Sequence, residues 1–453
     1  MTKQQRSVVV IAILASFVAF LDGSIVNVAL PAIAGELGGG FSIQQWVTDA
    51  YLITLGSLML IAGSLADMFG RKKILLYGLV GFLVTSLLCA VAPNGIVLVV
   101  ARALQGVTGA LLVPSSLALI ISSISGAAQG KAIGSWTAWT GIAFIVGPML
   151  GGFLVDALSW RWIFAINIVP ITATLVLLRR LEHDQPDEPT KQNIPVDIRG
   201  AVLGVVGLGG PVCALIEQPH YGWGHPLVYG LLLAGAAALG AFVWHERTTK
   251  SPMLPLELFA VRNFSIGNVA TVAIYAGLSV ATFLITIFLQ QVAGYSATAA
   301  GLALLPITII MFVLSPRFGA LAGSFGPRWF MGLGPIVAGL SFLYFLHTDA
   351  SADYWLQIFP AVVGFGVGLS MTVAPLTSAV LGSIDSAHAG VASAVNNAVS
   401  RIAGLVAIAT LGFIIGEQVN LEGFHQGMLL TAILLVLGGI VSAIGIQNKP
   451  SEA

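Results

Sequence analysis

From residue 8 to residue 446 the chain is a succession of apolar runs, each long enough to cross a lipid bilayer as a helix. A helix rises 1.5 Å per residue, so about 20 apolar residues span the ~30 Å hydrocarbon layer. About fourteen runs meet that length: 8–30, 46–66, 74–92, 96–120, 132–154, 162–178, 198–216, 226–243, 264–288, 299–318, 329–346, 355–377, 391–415 and 424–446. In lipid each backbone N–H and C=O must be satisfied within its own segment, which makes these runs helices. The expected fold class is an all-α membrane protein of about fourteen transmembrane helices.

Composition supports a lipid solvent. Charged residues are 8% and hydrophobic residues 57% of the chain, against roughly 25% charged in soluble domains. Its 53 glycines suit a bundle in which small residues let helix backbones approach closely. Net charge is zero, so no basic excess points to a nucleic acid. Cys89 and Cys213 both lie in apolar runs without a metal or disulfide spacing and read as small packing residues. The seven histidines are scattered in or near loops. No HEXXH, GxSxG or Walker A motif is present, so neither an enzyme nor a cofactor or metal site is expected. Without ATP hydrolysis, an ion gradient is left as the energy source for moving a solute. The first run follows Lys3 and Arg6 and has no small-residue cleavage site, which marks a retained span.

Lysine and arginine orient the chain. With the N-terminus in the cytoplasm, all but three of the 19 fall on the cytoplasmic side. Arg161 falls outside, and Arg102 and Arg401 lie within runs. Both termini are therefore expected inside the cell membrane. The polar stretches 179–199 and 244–262 read as solvated cytoplasmic connectors with proline and mixed charge.

The loop after the second run, GSLADMFGRKK (63–73), is echoed after the tenth by GALAGSFGPR (319–328). The echo aligns two six-helix halves and leaves two runs between them. The expected organisation is 1–180, an N-terminal half; 181–263, linkers and two extra spans; and 264–453, a C-terminal half. Parallel halves of this kind place a solute site between them.

Ionisable side chains within spans are costly and mark function. From the run ends, Asp22 is ~12 Å deep, Arg102 ~9 Å and Asp49 ~5–9 Å, one stratum in the outer half of the bilayer. A carboxylate there can pair with Arg102 or take a proton when the pairing breaks; a static ion pair holding helices together is the alternative. Arg401 lies ~16 Å into its span and must face a cavity or a partner, with Asn396 and Asn397 one turn earlier on the same polar surface. Gly70 permits a tight reversal, Asp67 can accept from a helix N-terminus, and Arg71 begins a basic run. Such a loop can clamp the cytoplasmic side shut or serve only to fix orientation. Gly147-Pro148 favours a bend in the fifth run.

Several segments, in order, resemble one family. They are LDGSIVNVALPAI (21–33), WVTDAYLI (46–53), the 63–73 loop, ARALQGVTGALLVP (101–114), GIAFIVGPMLGGFL (141–154), SWRWIFAINIVP (159–170) and GVASAVNNAVSRIAG (390–404). Together they resemble the fourteen-span drug:proton antiporter family of the major facilitator superfamily. The resemblance implies a proton-coupled antiporter that exports lipophilic, cationic drug-like compounds by alternating access. Its partners are then a small-molecule substrate, protons and the lipid bilayer, and it works as a monomer. It adds Glu217, at the outer end of the seventh run, to Asp22, Arg102 and Asp49 as proton-coupling candidates. It gives Gly147 and Pro148 a part in exchange, beside the gating loop. Two other readings stay open: a carrier of one endogenous metabolite or lipid, and a membrane sensor or scaffold on a transporter fold.

Overall fold

The computed structural model describes residues 2–124, 127–182, 197–249, 252–384, 389–416 and 419–448, some of them in α2, α5 and α15 by backbone alone. Its regular structure is helical. The α-helices are α1 Lys3–Leu37, α2 Gly40–Phe69, α3 Arg71–Ala90, α4 Gly95–Ser123, α5 Ala127–Ala157, α6 Trp162–Ala165, α7 Ile168–Glu182 and α8 Ile198–Tyr221. They continue as α9 Pro226–Thr248, α10 Arg262–Gln291, α11 Ala297–Ala303, α12 Leu305–Phe325, α13 Arg328–Tyr344, α14 Phe359–Leu381, α15 Ala389–Ile415 and α16 Leu421–Gly445. Among the described residues twelve helical segments are long and apolar enough to cross a membrane. The 30-residue α2 and 31-residue α5 stand beside them.

Local chemistry sets the ends of these helices. Thr2 and Gln5 form a reciprocal capping box at α1, and Asn94 caps α4 by accepting from the Val97 amide at 2.9 Å. Two expected spans arrive as pairs of helices, each for want of one backbone donor. Pro170 cannot bond back to Ile166, and Pro306 cannot bond back to Leu302, so the chain tightens between α6 and α7 and between α11 and α12. By contrast α5 runs through Pro148 without interruption. The second connector is less solvated than its charge implied. Helix α9 extends to Thr248, and Glu246 is buried, for reasons taken up below.

The helices gather into two compact units. One comprises Met1–Pro211 and Gly230–Leu254, the other Val212–Tyr229 and Pro255–Ala453. In the first, α1 lies against α5 and α2 against α4. A methyl group on Gly106 would sit 2.3 Å from the Tyr51 carbonyl oxygen, so only glycine lets α4 approach α2 this closely. In the second unit α16 packs on α10 and α13, and α14 on α12 and α13. The sequence echo has a geometric counterpart. Gly70 joins α2 to α3 with φ 96°, and Gly326 joins α12 to α13 with φ 84°, a region other residues rarely enter.

Candidate functional site

Helix α4 buries Leu98, Ala101, Arg102, Gln105, Gly106 and Gly109, a helical stripe that puts Arg102 and Gln105 one turn apart on its inner face. A guanidinium in that position must find all its partners inside the protein. Arg102 Nη1 donates to Asp22 Oδ2 at 2.6 Å and to Gln105 Oε1 at 2.7 Å. Its Nε donates to the Val47 carbonyl at 2.9 Å, and its plane lies 4.2 Å from the centre of the Tyr51 ring. Asp22 is 0% exposed and Arg102 1%.

Asp22 is held from three directions. Beside Arg102, its Oδ1 accepts from Gln105 Nε2 at 3.0 Å and from Asn167 Nδ2 at 3.2 Å. Both amides also donate to Ser86 Oγ, at 2.9 Å from Gln105 and 3.3 Å from Asn167. The network thus ties α1, α2, α3, α4 and the turn between α6 and α7 around one neutral ion pair. Each charge is hydrogen-bonded beyond the pair, the condition under which a buried ion pair can offset its desolvation. A proton on Asp22 removes the charge that holds Arg102 and leaves the guanidinium to its neutral partners.

Asp49, placed by depth in the same stratum, has a different environment. It is fully buried on α2, and among the described residues neither of its oxygens receives a hydrogen bond. The nearby guanidinium reaches the backbone of Val47 instead. Depth fixes height in the bilayer, whereas azimuth about the helix decides partnership.

The remaining candidates divide. In the second unit, Asn396 Nδ2 donates to Asn268 Oδ1 at 3.1 Å and to Thr271 Oγ1 at 2.9 Å, joining α15 to α10. Asn397 donates to Ser393 O of its own helix at 2.9 Å. Arg401 is half-buried on α15, and Glu217 is half-buried near the end of α8. In the first unit, Arg71 reaches the Ala118 carbonyl of α4 at 3.4 Å. Asp67 lies on α2 with its side chain outside the described residues. Gly147 is a contact point: a methyl group there would meet Ser24 Oγ at 2.0 Å, so α5 touches α1 just beyond Asp22. Pro148 beside it is half-buried. At one end of the first unit Glu36 accepts from Arg161 Nη1 at 2.6 Å and Trp160 Nε1 at 2.7 Å, fastening the end of α1 to the turn before α6.

Sequence reasoning passed over Gln105, Asn167 and Ser86. The signal was present. Gln105 follows Arg102 by three residues in ARALQG, and Asn167 is the one polar residue of IFAINIVP.

The profile of the Major Facilitator Superfamily matches residues 12–408. A methylenomycin A resistance protein of Bacillus subtilis is 33% identical, over 90% of this chain and 87% of its own. A puromycin resistance protein of Streptomyces alboniger is 34% identical over 89% of this chain and 80% of its own. A multidrug resistance protein of Mycobacterium tuberculosis is 32% identical over 93% and 78%. Among solved structures, a crystal structure of a peptide transporter with sulfate superposes with a TM-score of 0.72. It covers 98% of this chain and 94% of that one at 16% identity, a likeness of fold.

Proposed function

The chain belongs to the major facilitator superfamily and is a membrane transporter of small molecules; on that premise we propose that it is a proton-coupled antiporter exporting lipophilic, cationic drug-like compounds across the cell membrane by alternating access. The names of its relatives, which confer resistance to methylenomycin A, puromycin and multiple drugs, support export of foreign compounds over a carrier for one metabolite or a scaffold. On this reading α2 and α5 are spans as well, for fourteen in all, with halves 1–180 and 264–453 and an inserted pair between them in sequence. The lysine and arginine distribution puts both termini in the cytoplasm. The protein works as a monomer.

The observation that carries proton coupling is the buried Asp22–Arg102 pair with its ring of neutral donors. A proton entering Asp22 weakens its hold on Arg102 and removes one of the ties between α1 and α4, which eases their reorientation. Release of the proton on the opposite side restores the pair. Gly147, where α5 meets α1 next to Asp22, is the contact through which that change reaches α5. The loop containing Asp67, Gly70 and Arg71 serves as the clamp at the cytoplasmic side, while Asn396, Asn397 and Arg401 face the substrate.

A second reading has its own observation. Asp49 has a buried carboxyl group that no donor among the described residues reaches, and a hydrogen on it satisfies what those residues do not. In that reading Asp49 carries the proton and Asp22 holds Arg102 permanently; Glu217 is the remaining acid. Dye efflux driven by a pH gradient in proteoliposomes separates the two. Asp22→Asn is expected to abolish driven efflux while binding persists. If Asp22→Asn transports normally and Asp49→Asn does not, the second reading stands. A panel of unrelated dyes in everted vesicles tests the wider claim: several must move protons, and a response to a single compound would indicate a dedicated carrier.

A further inference from the structure

Where α8 begins and α9 ends, the first unit holds a polar cluster that transport through the bundle does not use. Asp197 precedes α8 and accepts from the Gly200 amide through Oδ1 at 2.8 Å, capping the helix. His245 Nε2, in the last turn of α9, lies 2.7 Å from the same oxygen. Glu246 follows, and its Oε2 accepts from the Leu254 amide at 2.8 Å. That bond folds the connector back onto α9. It brings Met253 into a small apolar cluster with Ile61 of α2 and Ala201 of α8.

One oxygen of each carboxyl group is left over. Asp197 Oδ2 and Glu246 Oε1 are both buried, and neither has a hydrogen-bond partner among the described residues. Both are aimed at the same spot above Gly200. A methyl group on that residue would sit 2.6 Å from Asp197 Oδ2 and 2.8 Å from Glu246 Oε1. The Asp197 side chain is 7% exposed and Glu246 3%, so bulk solvent reaches neither freely. Two carboxylates at such a site oppose each other's ionisation. What completes the geometry is a hydrogen atom.

We propose that Asp197 and Glu246 share one proton, forming a binding site beyond the expected apolar run 226–243 whose occupancy fastens the 252–255 segment to α2, α8 and α9. Glu246 is the group that carries it. Burial raises its carboxyl group above the usual range, and the Asp197 charge adds to that against the lowering effect of the Leu254 amide. Burial also acts upward on Asp197, but the Gly200 amide and His245 together bring it below the usual range. Among the described residues the titratable groups facing Glu246 are Asp197 and His245. The elements packed nearby offer apolar side chains, Leu58, Ile61 and Leu65 from α2 and Met253 from the connector, while Arg199 and Arg247 are exposed.

The sign of the pH effect follows. A carboxyl group raised in the closed state holds its proton more tightly there than in the open state. The closed connector is therefore favoured below the ordinary glutamate value of 4.5 and loses that advantage as pH rises through the elevated value of Glu246. Asp197, being lowered, acts only at the acid end, where its contribution is lost as pH falls below its ordinary 3.8.

The test is amide hydrogen exchange of the peptide covering 249–256 in the full-length protein in lipid nanodiscs, corrected for the intrinsic pH dependence of exchange. Between about pH 4.5 and about pH 9 the corrected rate is expected to rise severalfold as Glu246 loses its proton. Glu246→Gln, which carries permanent hydrogens, is expected to stay protected at both values. Gly200→Ala, which wedges a methyl group between the carboxyl groups, is expected to exchange fast at both. The wild type and Glu246→Gln decide the matter even if Gly200→Ala fails to fold. A wild-type rate independent of pH, or a Glu246→Gln variant that keeps the wild-type response, overturns the proposal.

Discussion

The interiors of the two units are polar in different ways. In the first, a full charge of each sign lies at the centre, and Gln105, Asn167, Ser86 and the Val47 carbonyl complete the coordination of Asp22 and Arg102. In the second, the polar contact between α10 and α15 is made by amides and a hydroxyl, Asn396 with Asn268 and Thr271. Phenylalanines fill much of the rest. Phe288 stacks on Phe424 with ring centres 3.8 Å apart, Phe345 meets Phe424 edge-on, and Phe342 meets Phe365 in the same way. Neutral groups bind helices together at little cost and change little with pH. An ion pair costs more to bury and can be switched by a single proton. The first unit buries an ion pair where the α10–α15 contact of the second uses neutral groups.

Four substitutions sharpen or break this contrast. Arg102→Ala is expected to have the largest effect, a loss of about 3–5 kcal/mol with no transport, because it leaves Asp22 buried without its cation. The unfolding midpoint in mild detergent reports the first part and dye efflux the second. Asp22→Asn is expected to cost less, about 2 kcal/mol, since Arg102 keeps the Val47 carbonyl, Gln105 and the Tyr51 ring. Its transport defect should nevertheless match that of Arg102→Ala. In the second unit, Phe424→Ala should lose about 1–2 kcal/mol. In lipid no hydrophobic transfer term accompanies a ring, and the packing and ring-pair energies are what remain. Driven efflux should keep its pH dependence in that variant. Asn396→Ala should be mildest in stability, about 0.6 kcal/mol, the usual worth of an interhelical hydrogen bond in a membrane; its mark should be an altered range of dyes. Were Asn396→Ala to abolish pH-driven efflux while Asp22→Asn spared it, the contrast would be reversed.

The helices and the central ion pair were legible because lipid imposes rules that leave few choices. A run such as 96–120 must be a helix, and an arginine within it must find a counter-ion. Two spans broke into shorter helices at Pro170 and Pro306, and the prolines were visible in the sequence. Partners set by rotation about a helix axis were less accessible. Asp22 and Asp49 have similar depths, yet among the described residues one receives three donors and the other none. Burial outside the spans was harder still. Glu246 sits in a stretch of mixed charge that reads as solvated, and the contacts that cover it come from Asp197, which lies 49 residues earlier, and from the connector folding back. Neither is a periodicity that a local reading can detect.

The distance in sequence between the two charges has a consequence for how the protein is made. Asp22 and Arg102 are 80 residues apart. At ~5–20 residues per second, synthesis takes about 4–16 s to cover that gap. During that time the first helix is delivered to the bilayer with an acid whose cation has not been translated. The fourth helix then brings an arginine whose insertion opposes partitioning by about 2.5–3.5 kcal/mol. Asn167 follows later again, 145 residues after Asp22. Biogenesis therefore has an obligatory sequence: the acid waits, the cation arrives to meet it, and the amide closes the ring last. Substitutions at Asp22 should accordingly slow, without preventing, entry of the fourth helix into the membrane, detectable on ribosome-bound chains before any substrate is offered.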